Sequence, residues 1–183
     1  MDTTDEQILA QFQASGDVAE LGTLVERNLE RVRNLAFRLV LCHAAADDVA
    51  QEVFLKVMRN AHSFRGEAKF STWLYRITVN AANEHLRRKK PTDPLLENEL
   101  PAPAGEHRQP DGQLLQAEFI ETIEQALGGL SDKLRTAIVL TAMEGLPAKT
   151  AAEIAGCSTA TMHWRIHEAR KQLKPLLHRH ARS

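Results

Sequence analysis

Only two cysteines, Cys42 and Cys157, occur in the 183-residue chain, far apart and each in a helix-like context. Neither a disulfide framework nor a four-thiolate zinc site can be built from them, and both are expected to be buried as small hydrophobes. Long apolar runs are missing too. A bilayer span needs roughly 18 to 20 apolar residues, and Arg38 interrupts even the best stretch, Leu35 to Leu41, so no span is expected. The opening residues Met1, Asp2, Asp5 and Glu6 lack the basic segment, apolar segment and cleavage site of a secretory signal. The chain is therefore expected to be cytoplasmic. There is no internal repeat and almost no alternation of β-branched residues at period two, which makes the class all-α. A glycine-rich phosphate loop, a triad order and a metal-ligand set are likewise absent, so neither an enzyme, a cofactor nor a bound metal is expected.

What is present is enough apolar material, 43% of residues, to bury real cores in one mid-sized domain or two small ones. The formal net charge is −1, which looks wrong for a nucleic-acid binder until it is divided along the chain. Residues 1–60 carry −4, 61–90 carry +5, 91–130 carry −7 and 131–183 carry +5. Two basic blocks alternate with two acidic ones. One charged cluster alone reads as a solvated face; two basic blocks that each hold a motif point to a polyanion.

Five of the seven prolines (Pro91, Pro94, Pro101, Pro103 and Pro110) fall in a stretch without periodicity that also holds Gly105 and Gly112. It reads as a flexible, acidic, Pro-rich linker over 91–112, which reaches at most roughly 70 Å. A domain over 1–90 precedes it and a domain over 113–183 follows. In the first, a short helix spans about Thr4 to Ala14. Asp17 with Glu20 makes a capping-box-like start to a long helix ending near Leu41, Ala45 to Asn60 is the next, and Ser71 is placed to cap a last one reaching Arg87-Arg88-Lys89-Lys90. In the second, Gln113 to Leu127 is helical, Ser131 caps a helix to about Glu144, and two helices flank Gly156-Cys157-Ser158.

That last pattern is the spacing of a helix-turn-helix: a short helix (about Lys149 to Ala155), a glycine turn, and a longer helix (about Thr159 to Leu177) capped by Ser158. Met162, Ile166, Ala169 and Leu173 form its apolar stripe, while His163, Trp164, His167, Lys171 and Lys174 fall on the other side. Two readings of Trp164 are open. It reads a major groove together with His163, His167 and Glu168, while Arg165, Arg170 and Lys171 lie near phosphates; or it packs on a neighbouring helix beside a basic surface. His163 and His167 also stand at metal-ligand spacing, but no carboxylate is placed as a third ligand.

On the helix from Ser71, Tyr75, Val79, Ala82 and Leu86 share an apolar face, while Arg76, Asn80, Asn83 and Arg87 recur along another. Amides between guanidiniums suit nucleic acid, because Asn pairs with base edges while Arg anchors phosphate. Just before it, Phe64-Arg65-Gly66 offers an aromatic that either stacks on an unpaired base or joins the core. On the helix Ala45 to Asn60, Ala46, Val49, Ala50, Val53 and Val57 form the buried stripe. Leu55 lies opposite, among Asp48, Gln51, Glu52 and Arg59, a docking surface for a basic protein partner unless it is one of the single exposed leucines that need no explanation.

Together these segments resemble the extracytoplasmic-function sigma factors. The resemblance rests on Asp48 to Leu55; on Phe64-Arg65-Gly66-Glu67 followed by Phe70 to Ile77 and Val79-Asn80; and on Leu130 to Arg135, Glu144-Gly145-Leu146, Ala152 to Cys157 and Met162 to Lys171. It covers about residues 5–90 and 113–177. It implies a subunit without catalytic activity that binds bacterial core RNA polymerase through Asp48, Gln51, Glu52 and Leu55. Phe64, Arg65, Arg76, Asn80, Asn83 and Arg87 would meet the minus-ten element, with a flipped base held near Phe64 and Asn80. Thr161, His163, Trp164, Arg165, His167, Glu168, Arg170 and Lys171 would meet the minus-35 element of promoter DNA. The resemblance also implies an anti-sigma factor as partner. The chain departs from the family pattern in the helix-turn-helix, with Ala148, Ala151 and Ala155 in the first helix and His163-Trp164 where Arg-Ser is common.

The rival reading is a stand-alone helix-turn-helix transcriptional regulator. It explains the C-terminal half and leaves the basic Asn/Arg helix and the Leu55 face without a purpose.

Overall fold

The computed structural model describes residues 3–89 and 113–180, so the linker expected over 91–112 lies outside the described residues. Eight α-helices and no strand occur among the described residues. The chain divides into two compact units, Met1–His85 and Leu86–Ser183.

In the first unit, α1 (Asp5–Ser15) opens on a reciprocal cap: the Thr4 hydroxyl accepts from the Gln7 N–H while the Gln7 side chain accepts from the Thr4 N–H. Gly16, at φ 72°, ends it. Asp17 caps α2 (Val18–Val40) through the Ala19 N–H; Glu20 does not complete the expected capping box, and only its backbone N–H returns to Asp17. α3 (His43–Asn60) starts two residues earlier than its apolar periodicity indicates. Its stripe of Ala46, Val49, Ala50, Val53 and Val57 is buried with Ala45 and Phe54, and α3 packs on α2, whose Leu24, Val32, Leu35 and Leu39 are buried as well. The α1 core residues Ile8, Leu9 and Phe12 close one end.

α4 (Phe70–Lys89) begins one residue before Ser71, so Ser71 is a helical residue and not the cap. The Phe70 N–H is instead accepted by the Glu6 carboxylate of α1 at 2.9 Å. Tyr75, Val79 and Ala82 are buried and Leu86 is half-buried.

In the second unit, α5 (Gln113–Gly128) leads to α6 (Asp132–Ile138), which runs on into a π-helical turn, Val139–Met143. Ser131 sits at the cap position of α6 without a side-chain cap bond. α7 (Ala148–Ile154) and α8 (Thr159–His180) follow, α8 with Pro175 inside it. Leu134, Ile138, Leu140, Ile154, Met162 and Ala169 form the core. Cys42 and Cys157 are both half-buried, less enclosed than expected, because each stands at a helix junction and not within a packed stripe.

Candidate polymerase and promoter surfaces

The face of α3 opposite its valine stripe presents Asp48 and Gln51, both exposed, and Leu55, 43% exposed. Met58, one turn on and 42% exposed, extends the apolar patch. Its spacing of three from Leu55 is the sequence signal that marks it. Glu52 is engaged differently. Its carboxylate lies 2.7 Å from Lys56 Nζ, which also reaches Glu84 of α4 at 3.2 Å. The Lys56 ammonium is held above its ordinary range, first by the Glu52 hydrogen bond and also by Glu84, against the opposing effect of burial.

On α4, Arg76, Asn80, Asn83 and Arg87 are all exposed, while the helix is anchored from the other side by its buried face. The loop before it carries Phe64, half-buried, with its ring 5.3 Å from Trp73 and edge-on to Phe70 at 6.3 Å. Phe64 therefore belongs to a small aromatic cluster at the start of α4 and is not wholly core. Arg65 beside it is exposed, and Gly66 at φ 72° allows the loop to turn. The aromatic loop leads directly into α4, so Arg76 is the member of the Asn/Arg face nearest to it and Arg87 the farthest, near the helix's other end.

The helix-turn-helix is built as its spacing indicates. The Cys157 N–H returns to the Ala152 carbonyl around Gly156 at φ 63°, a Schellman closure of α7. Ser158 Oγ then accepts the Thr161 N–H at 3.1 Å and lies 2.8 Å from the Thr161 hydroxyl. Thr161 is half-buried and its hydroxyl is shared with the cap. Met162 and Ala169 are buried and Ile166 and Leu173 half-buried, which turns His163, Trp164, His167, Arg170 and Lys171 outward. Trp164 is 62% exposed, so it does not fill the space beside Ala148, Ala151 and Ala155, and the packing reading of this indole is overturned. Arg165 is half-buried; Glu168, also half-buried, accepts from Gln172 at 2.9 Å and lies 3.9 Å from Lys171 Nζ.

No group of three or more His, Cys, Asp or Glu side chains able to hold a metal ion occurs among the described residues. Nor is any described helix long and apolar enough to cross a membrane.

The Sigma-70 region 2 family model matches residues 24–92, and the Sigma-70 region 4 model matches residues 120–173. The chain is 34% identical to the RNA polymerase sigma-H factor of Pseudomonas aeruginosa, over 94% of this chain and 95% of that protein. It is 35% identical to the ECF RNA polymerase sigma-E factor of Haemophilus influenzae, over 93% and 94%. Among solved structures it is similar to CnrH in complex with the cytosolic domain of CnrY (26% identity, TM-score 0.69, covering 95% of this chain and 97% of that one). It is also similar to the sigma factor RpoE in complex with the anti-sigma factor NepR from Bartonella quintana (25% identity, TM-score 0.65, 85% and 95%). The chain belongs to the sigma-70 family, as an ECF RNA polymerase sigma factor that directs transcription initiation.

Proposed function

We propose that the two units divide initiation between them, with residues 1–90 for core polymerase and the minus-ten element, 91–112 as tether and 113–183 for the minus-35 element. Asp48, Gln51 and Leu55, extended by Met58, dock on core RNA polymerase. Glu52 contributes less by direct contact than by holding Lys56. Arg76 and Arg87 anchor phosphates along α4 while Asn80 and Asn83 face bases, and Phe64 with Arg65 lines the place where an unstacked minus-ten base is held. Holding that base needs no catalysis, only contacts that offset an unstacking cost of a few kcal/mol. On α8, His163, Trp164 and His167 read base edges, and Arg165, Arg170 and Lys171 supply phosphate contacts. Glu168 and Thr161 orient their neighbours.

The observation that carries this reading is the coexistence, within the unit Met1–His85, of the exposed Arg76, Asn80 and Asn83 of α4 with the exposed Leu55 and Met58 pair; Arg87 continues the α4 face past that unit's boundary. A stand-alone helix-turn-helix regulator has use for neither. The protein acts in the cytoplasm and is not an enzyme. An anti-sigma factor, the partner bound by the RpoE relative, holds it inactive by covering the same surfaces. Gel filtration with bacterial core polymerase tests the reading: co-elution supports it, and separate elution at micromolar concentration contradicts it.

A further inference from the structure

Between α3 and α4 a 3-10 turn, Ala61–Ser63, closed by the Phe64 N–H on the Ala61 carbonyl at 3.2 Å, leads into a loop with little structure of its own. Residues 65–69 are all exposed, and backbone with few buried contacts ordinarily opens at low cost. Both ends of it are nevertheless fixed, and by the same distant helix. At the upstream end, the half-buried Gln13 of α1 donates both hydrogens of its amide, one to the Ala61 carbonyl at 2.8 Å and one to the Phe64 carbonyl at 2.9 Å. One residue earlier in α1, the buried Phe12 ring packs against His62 at 5.1 Å. At the downstream end, Glu6 accepts the Phe70 N–H at 2.9 Å. Its carboxyl is held below the usual carboxylate range chiefly by that bond, and Lys69 adds a weaker attraction. An amide with two donors ties together two carbonyls at once: that of the buried Ala61, which also accepts the Phe64 N–H at 3.2 Å, and that of Phe64, three residues on.

We infer that α1 is a strap for the base-capture loop, with Gln13 and Glu6 acting as positioning residues that set the loop's two ends before DNA arrives. The inference rests on the proposed reading of Phe64 and Asn80. Its physical content is preorganisation: a loop already ordered around Phe64 loses less conformational freedom when an unstacked base enters, and so binds that base more tightly. Neither Gln13 nor Glu6 needs to touch nucleic acid.

The test uses holoenzyme reconstituted from core polymerase and the full chain, titrated with a single-stranded minus-ten oligonucleotide. Gln13→Met keeps the length of the side chain and removes both donors. It should lower affinity for the oligonucleotide roughly five- to tenfold, the worth of one or two hydrogen bonds, while core affinity stays within about twofold. Glu6→Ala should show a similar loss, and Glu6→Gln should not, because its amide oxygen still accepts the Phe70 N–H. If Gln13→Met does not fold, the contrast between Glu6→Ala and Glu6→Gln decides alone. Full oligonucleotide affinity in Gln13→Met and Glu6→Ala, beside impaired Phe64→Ala and Asn80→Ala, overturns the strap and leaves base capture standing. Full affinity in all four variants overturns both. Parallel loss of core affinity marks a merely structural role and also overturns the strap.

Discussion

Lys56 of α3 donates to Glu84 of α4 across 3.2 Å, and the same ammonium meets Glu52 on its own helix at 2.7 Å. The helix assigned to polymerase and the helix assigned to DNA are thereby joined through one cation. This separates two residues that sequence alone treats alike. Leu55→Ala should weaken core binding about tenfold, as loss of an exposed apolar anchor does, and leave the melting temperature unchanged. Glu52→Lys should weaken core binding and also lower stability by up to about 1 kcal/mol, because it breaks a partly exposed ion pair and sets two ammonium groups together. Titration against core, paired with thermal unfolding, checks both.

Glu6 and Phe70 give a pH dependence. The Glu6 carboxyl is lowered first by the Phe70 N–H, so its contribution is fully present at neutral pH and above the ordinary carboxylate range. It is lost as pH falls through the lowered value. Glu6→Ala should cost about 1 kcal/mol at pH 7, the worth of a helix cap, and the gap from the parent should close on acidification. Urea unfolding at a series of pH values measures it. A gap that widened toward acid would contradict the assignment.

On α4, Asn80→Ala should impair opening most at the preferred minus-ten sequence, whereas Arg87→Ala should weaken binding to every sequence and reduce the salt slope by about one. Permanganate reactivity across a panel of minus-ten variants separates the two. Equal losses on all variants would remove the division of roles.

With Trp164 at 62% exposure, Trp164→Ser should change which minus-35 base is preferred, by about 1 to 3 kcal/mol at that position, with the salt slope nearly unchanged. Lys171→Ala should do the reverse, because its ammonium is exposed and paired only loosely with Glu168 at 3.9 Å. A minus-35 panel titrated at several salt concentrations distinguishes them, and an unfolded C-terminal unit in Trp164→Ser would count against the recognition role.

Arg135 was legible in the sequence only as one charge in a motif. In the fold it is buried, with Nε donating to the Leu127 carbonyl at 3.0 Å and Nη2 to the Leu130 carbonyl at 3.1 Å, so it closes the end of α5 from α6. Burial lowers its pKa, and Asp132 at 3.7 Å partly offsets that. Arg135→Ala should cost about 2 kcal/mol by removing the side-chain donor to both carbonyls, of which that of Leu127 keeps another, the Leu130 N–H at 3.1 Å; thermal unfolding measures it.

Arg135 illustrates what sequence could and could not carry. Period and spacing placed the α3 stripe, the α4 face of Arg76, Asn80, Asn83 and Arg87, and the Gly156 turn, because each depends on residues within a few positions of one another. The misassigned cap at Ser71 had a long-range cause: Glu6 supplies the acceptor from 64 residues away, and no local pattern announces it. Helical spacing sets Glu52 beside Leu55 and the resemblance sets Thr161 toward DNA, and neither signal shows that Lys56 and Ser158 already engage them. The π-helical turn at Val139–Met143 likewise hides inside an apolar run that fits an ordinary helix equally well.

The most direct test is transcription by core polymerase on a pool of bacterial genomic fragments, with and without the full chain, with mapping of transcript 5′ ends. A sigma factor should convert scattered, end-initiated transcripts into discrete starts that share sequence at minus-ten and minus-35, and Leu55→Ala should need about tenfold more protein to reach the same yield. Binding of the chain to DNA fragments in the absence of core, with the start sites of core polymerase unchanged by its presence, would contradict the assignment and favour a stand-alone helix-turn-helix regulator.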